Sequence, residues 1–163
     1  MIKFASEVRE ILLPGWRDAR GHITQVWNKG FHGFNLAQSS VTVSRKNVLR
    51  GIHGYNNLGR ICVCVYGRIY FVVVNCDWES QLVGSWISFI LEDKHPNAIY
   101  VPPKFGIAAL TRSETSVFLY HWDGAYEGNE QFRFRYDDPR FGISWPPLEG
   151  ELILSESDTK CGE

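Results

Sequence analysis

The sequence predicts an all-β domain, a sandwich or barrel of many short strands. Three observations carry that reading. Aromatic residues are abundant, with 10 Phe, 7 Tyr and 6 Trp, and 15 Gly accompany them. That mixture suits pleated, half-buried strands joined by tight turns. Short alternating or β-branched runs recur at close intervals, separated by Pro, Gly, Asn and Asp. No segment keeps a strong helical period. A chain of 163 residues can bury a sizeable core, and no repeat or linker divides it, so residues 1–163 read as one domain with a short C-terminal tail.

Taken in order, residues 8–13 form a first strand, halted by Pro14-Gly15. Residues 16–22 are expected to be a polar turn, and 23–27 a strand. Residues 28–34, with scattered Gly, form a short helix or loop. Residues 36–44 alternate and are rich in β-branched side chains, and Arg45-Lys46-Asn47 turns the chain into strand 48–53. Residues 60–65 and 68–76 are expected to pair as a central hairpin, with Tyr66-Gly67-Arg68 at the turn. Residues 82–91 make the next strand, 92–97 a turn, and 98–101 a short strand stopped by Pro102-Pro103. Residues 106–112 and 116–122 are expected to form a second pair across Ser113-Glu114-Thr115. The polar, Pro-rich stretch 137–163 wraps the surface with one helical turn.

Composition narrows the function. A net charge of −1 offers no basis for general nucleic-acid binding. No apolar run reaches membrane-spanning length, and the first residues lack the apolar core of a signal peptide, so a cytoplasmic protein is expected. Cys62 and Cys64, two apart on one strand, share a face, but no second ligand pair follows them. Cys62, Cys64 and Cys76 read as strand-buried thiols and Cys161 as an exposed one, all reduced.

The chemistry gathers at Val48-Leu49-Arg50-Gly51-Ile52-His53. The histidine ends a strand three residues after Arg50, and the following loop ends in Arg60. An imidazole framed by two guanidiniums suggests a base acting on an anionic ligand. The competing reading is a satisfied structural histidine.

A set of motifs then falls in a recognisable order. Asp18-Ala19-Arg20-Gly21 precedes the histidine strand, and Val65-Tyr66-Gly67-Arg68-Ile69-Tyr70 and Tyr100-Val101-Pro102-Pro103-Lys104-Phe105 follow it. Next come Leu119-Tyr120, Asp137-Asp138-Pro139, Gly142-Ile143-Ser144-Trp145-Pro146 and Leu154-Ser155-Glu156-Ser157-Asp158. This series is similar to the dTDP-4-dehydrorhamnose 3,5-epimerase family over nearly the whole chain. The resemblance implies a double-stranded β-helix jelly roll of the cupin type, and a homodimer that exchanges N-terminal strands. It implies His53 as catalytic base, Asp158 as the carboxylate that orients it, and Tyr120 as the acid on the opposite sugar face. Arg60 stands where the family has a lysine near the keto oxygen. Arg20 and Arg50 match the arginines that hold the pyrophosphate, and Gln38 and Tyr126 match residues lining the nucleotide site.

Those residue types suit the implied reaction. A ketone at sugar C4 acidifies the hydrogens at C3 and C5. A base removes one, an enolate forms, and an acid returns a proton to the other face. Histidine suits the first step, and a carboxylate on its far nitrogen fixes the tautomer. A cation at O4 stabilises the developing charge by roughly 3 kcal/mol. No metal and no cofactor is required: a metal cupin needs a tight His-x-His set with a further Glu and His, and the sequence lacks one.

The chain also departs from the family. Ile107 stands where a histidine is usual and Phe71 where an aspartate is usual, so a pair of charges has become apolar together. Ile23 stands where an aromatic stacks on the base, Gln25 replaces a glutamate and Ser40 an asparagine. The nucleotide is therefore open between dTDP and another such as GDP. By strand parity His121 points out of the barrel, toward solvent or an interface. The leading reading is an epimerase inverting C3, C5 or both of a nucleotide-linked 4-keto-deoxysugar or heptose. The alternatives are a keto-sugar 3,4-isomerase and a non-catalytic sugar-nucleotide-binding module.

Overall fold

The computed structural model describes residues 7–28, 33–125 and 131–161. Two five-stranded antiparallel sheets face each other as a jelly roll. One sheet has the order β1(Arg9–Leu12), β9(Asn97–Val101), β6(Arg60–Tyr66), β11(Thr115–Trp122), β4(Gln38–Arg45). The other has the order β12(Gln131–Arg133), β5(Leu49–Tyr55), β10(Phe105–Thr111), β7(Arg68–Asn75), β8(Trp86–Glu92). A separate hairpin pairs β2(Gly15–Asp18) with β3(Gly21–Thr24), and one helical turn, α1(Glu156–Thr159), lies near the C-terminus.

Neither of the two expected strand pairs forms. β6 and β7 are consecutive but lie in opposite sheets, and so are β10 and β11. Tyr66-Gly67-Arg68 is a corner that carries the chain from one sheet to the other. Gly67 has φ +81°, and a Cβ there would meet the Thr115 carbonyl oxygen at 2.2 Å, so this corner sits directly on the β10–β11 corner. The physical reason is two-faced burial. Ile61, Cys62, Val63 and Cys64 are all buried, as are Phe71, Val72, Val73 and Val74. Strands apolar on both faces need a cover on each side. Facing sheets supply one cover, and terminal segments supply the other.

Three apolar clusters follow from that layering. Phe71, Phe118, Ile107, Cys62 and Cys64 lie in the cluster between the sheets. Val72, Val74 and Ala108 are covered by Phe132, Phe141 and Trp145. Trp145 Nε1 donates to the Tyr136 carbonyl at 3.0 Å, which fixes this cover. Ile61, Val63 and Ala98 are covered by Val26, Trp27 and Phe34.

Other expectations shift locally. Residues 16–22 are not a plain turn, because β2 and β3 pair there, turning at Gly21 (φ +130°). Asp18 holds that turn by accepting from the Arg20 backbone N–H at 2.8 Å. The strand after it ends at Thr24, and of residues 28–34, positions 29–32 lie outside the described residues. β8 starts at Trp86 because Ser80 Oγ accepts from Leu82 N and Ser85 Oγ donates to the Leu82 carbonyl, closing residues 82–85 into a turn. β12 is an additional strand at the sheet edge. Cys161 is half-buried rather than exposed, its thiol donating to the Ser157 carbonyl. His22 and His95 are exposed, while His32 lies outside the described residues.

Candidate active site

A cavity of about 420 Å³ lies between the sheets, with β4 and β12 contributing to its lining and α1 at its rim. Its chemistry follows from cross-strand rows, because residues directly opposite in a sheet share a face. In one sheet Ile107, His53 and Arg133 form such a row across β10, β5 and β12. In the facing sheet Ser40, Tyr120 and Cys62 form one row, and Gln38, Trp122 and Arg60 the next. His53 and Tyr120 thus line one cavity from opposite sheets.

Strict alternation would send Arg50 and His53 to opposite faces, since they are three residues apart. A β-bulge prevents that. Between the pairs Ile107↔His53 and Ala109↔Arg50, β5 spends one residue more than β10. Gly51 takes up the extra residue with φ +123°, and a Cβ there would meet the Ile107 carbonyl oxygen at 2.3 Å. Both Arg50 and His53 consequently line the cavity.

Asp158 Oδ1 lies 2.5 Å from His53 Nε2. The carboxylate is 4% exposed and arrives from the far end of the chain. Its helical turn begins at Ser155, whose Oγ accepts from the Asp158 backbone N–H at 3.1 Å, an N-cap contact. Backbone bonds from Leu49 N to Ile153 O and from Ile153 N to Asn47 O tie the approach to β5, and Arg135 Nη1 donates to the Thr159 carbonyl. Burial pushes the Asp158 carboxyl up, but the His53 hydrogen bond, the His53 charge, Ser155 and the Arg133 charge outweigh it and hold the group below the usual aspartate value.

Arg60 is 1% exposed. Its Nη2 donates to the His53 carbonyl at 3.0 Å and the Phe105 carbonyl at 2.8 Å. The Tyr55 and Trp122 rings flank the guanidinium at 5.6 and 5.5 Å. Its Nε finds no acceptor among the described residues. Burial lowers its proton affinity, while nearby thiol and phenol groups act in the opposite sense. A buried cation held only by neutral groups favours an incoming negative charge.

Tyr120 stacks on Trp122 at 5.9 Å and meets Phe118 edge-on at 4.5 Å. Burial pushes its phenol up, so it stays protonated, a donor, across the neutral range. Burial also pushes the Cys62, Cys64 and Cys76 thiols up to about 12, which keeps them protonated and unreactive. Among the described residues no group of three or more His, Cys, Asp or Glu is arranged to hold a metal.

The cavity therefore brings together His53, Asp158, Tyr120, Arg60, Arg50 and Gln38. It does not bring Arg20, Ile23 or Gln25. Ile23 and Arg20 belong to the β2–β3 hairpin, where their side chains are exposed, and Arg20 is held by Asp18. Gln25 is exposed just beyond that hairpin and accepts from Asn28. Tyr126 lies outside the described residues. Sequence reasoning missed Arg133, Trp122 and the hydroxyls of Ser155 and Ser157, all of which line the cavity. The alternation Gln131-Phe132-Arg133-Phe134 was a period-two signal for Arg133.

Residues 5–163 match the family model described as dTDP-4-dehydrorhamnose 3,5-epimerase. The chain belongs to that family. A dTDP-4-dehydrorhamnose 3,5-epimerase of Mycolicibacterium smegmatis is 33% identical over 80% of this chain. The match spans 65% of that relative's length, less than two thirds of it. The crystallised 4-keto-6-deoxy sugar epimerase from the novobiocin biosynthetic gene cluster of Streptomyces spheroides superposes with TM-score 0.88 at 26% identity. That match covers 95% of this chain and 81% of the other. A 3'-monoepimerase from Streptomyces bikiniensis, solved with dTDP-quinovose, gives TM-score 0.88 at 26% identity, over 95% of this chain and 82% of its own.

Within this epimerase family the two apolar departures separate in space. Ile107 lines the cavity beside His53. Phe71 is fully buried behind it, in edge contact with Phe118 at 5.5 Å. His121 points out of the barrel but not into solvent. It is 5% exposed, its Nδ1 shares a hydrogen bond with Ser39 Oγ at 2.9 Å, and Trp27 lies against its ring. The N-terminal segment that covers the outer face of the sheet is what buries it.

Proposed function

We propose that this protein epimerises a nucleotide-diphospho-4-keto-deoxysugar, with His53 as base, Asp158 as the carboxylate that orients it and Tyr120 as acid. One observation carries the reading: an imidazole with a carboxylate on one nitrogen, and a protonated phenol, line a single cavity from opposite sheets. Inversion at carbon needs a proton removed from one face and returned to the other, which is what two such groups supply.

The steps balance simply. His53 takes the proton from the carbon next to the ketone and becomes imidazolium, which Asp158 stabilises. The bonding pair moves to the C4 oxygen as an enolate. Arg60, a buried cation with no carboxylate partner among the described residues, offsets that charge. Collapse of the enolate takes the Tyr120 proton on the opposite face, and solvent resets both groups.

The substrate's diphosphate falls to Arg50 and its base to the β2–β3 hairpin of a second copy. An exposed hairpin that pairs with no other strand among the described residues and carries Arg20 and Ile23, with Gln25 just beyond it, supports a homodimer in which each copy completes the other's site. Buried, protonated thiols suit the cytoplasm. Ile107 beside His53 favours a narrower reading, inversion at one carbon, because an apolar wall stands where a second polar group would handle the ring.

Deuterium wash-in from D2O tests the proposal. Exchange at C3 or C5 of a dTDP- or GDP-linked 4-keto-6-deoxy sugar is expected, and exchange with no such substrate overturns it. Product NMR separates single inversion, double inversion and movement of the carbonyl from C4 to C3.

A further inference from the structure

We infer that Arg133 is a phosphate-binding residue of this cavity, so that Arg50 and Arg133 of one chain grip the substrate's diphosphate together. The inference rests on the sugar-nucleotide reading above and adds a residue to it.

β12 pairs Arg133 directly with His53, so both side chains leave the sheet on the same face. Arg133 lines the cavity, as does Arg50. Three residues of strand, roughly 10 Å, separate the Arg50 position from this pair. Both long side chains line the cavity across that span, as do Ser155 and Ser157.

The charge pattern singles Arg133 out. Among the described residues four arginines hold an acceptor two residues away. Asp18 holds Arg20, Asp137 holds Arg135, and Asp138 holds Arg140, each as an ion pair. Arg133 instead donates from Nε and Nη2 to the neutral Gln131 Oε1, at 3.1 and 2.8 Å. Arg50 likewise donates to a neutral group, Ser44 Oγ, at 3.0 Å. Among the described residues neither guanidinium forms a direct ion pair. The arginine whose local partner carries no charge is thus the one that faces the cavity. Its field reaches Asp158, where it favours the carboxylate.

Two guanidinium forks with no direct ion pair among the described residues match the oxygens of a diphosphate. Arg20, which is tied to Asp18 by three side-chain bonds and is 90% exposed, cannot do this within its own chain.

The test is binding without turnover. Calorimetric titration of the full chain with dTDP, UDP, GDP and inorganic pyrophosphate is compared with Arg133→Gln and Arg133→Lys. Arg133→Gln should weaken every diphosphate that binds by about tenfold or more, as expected for a lost charge-assisted bond, and flatten the salt dependence. Arg133→Lys keeps the charge without the fork and should lose about fivefold. The lysine variant carries the test if the glutamine variant fails to fold. Diphosphate affinity within about twofold of the unaltered protein, or no binding of any probe by that protein, overturns the inference. Diphosphate binding through Arg133 without deuterium exchange would instead remove the epimerase reading and leave this one standing.

Discussion

His53 Nε2 and Asp158 Oδ1 meet at 2.5 Å although 105 residues separate them along the chain. The contact fastens α1 to β5 and joins the proposed base to a carboxylate that water barely reaches. Asp158→Asn keeps the shape and removes the charge. Turnover should fall by about three orders of magnitude, since the imidazolium loses its stabilising partner and its fixed tautomer. Stability should respond to pH in a defined sense. The carboxyl is held below its usual value near 3.8 in the folded state, so its contribution is complete above that pH and is lost as pH falls through the lower folded value. Urea melts of the two proteins should therefore differ above about pH 5 and converge in stronger acid.

Tyr120→Phe separates the two halves of the reaction. The base side is untouched, so deuterium should still enter from D2O on the face that His53 serves. Net inversion should drop by about 10²–10⁴-fold, the range of a positioned general acid. Equal loss of exchange and inversion would mean that the phenol acts before the enolate forms, and would remove it as the second-face acid.

Arg60→Met exchanges a buried cation for an apolar chain of similar reach. Activity should fall about 10²–10³-fold through loss of enolate stabilisation. Stability should change by less than about 2 kcal/mol, because two lost bonds to the His53 and Phe105 carbonyls are offset by relief of an uncompensated buried charge. A melt showing a much larger loss would make Arg60 a structural strut.

These predictions draw on parts of the molecule that were unequally legible. The inner face of β4 was readable, because Gln38, Ser40 and Thr42 alternate with exposed Ser39, Val41 and Val43. β6 and β7 misled for the opposite reason. Apolar on both faces, they carry no parity that says which sheet each joins, and a tight Gly67 corner looks like a hairpin turn. Arg50 defied alternation because the Gly51 bulge depends on how closely β10 approaches. Asp158 was found through motif resemblance, since nothing local in Ser155-Glu156-Ser157-Asp158 names a partner on β5. Arg20, Ile23 and Gln25 fall outside the cavity because nothing in the local pattern says that residues 15–24 fold into a separate hairpin.

His121 offers a test on the opposite side of the sheet from the cavity. Its ring is buried under Trp27 and bonded to Ser39 on the edge strand β4. Burial lowers its pKa below the usual 6.5, with a backbone contact near Val26 acting weakly the other way. A histidine kept neutral by folding binds more protons when unfolded, so stability rises with pH across its titration. Its contribution is complete above pH 6.5 and declines as pH falls through that value toward the lower folded one. Melts from pH 8 to 5.5 should show a loss in the unaltered protein that His121→Gln largely abolishes. Protection of the amides of residues 26 and 27 from hydrogen exchange, corrected for the intrinsic rate, should fall over the same interval. An identical pH slope in the variant would show that the ring is solvated, and that the N-terminal cover does not rest on it.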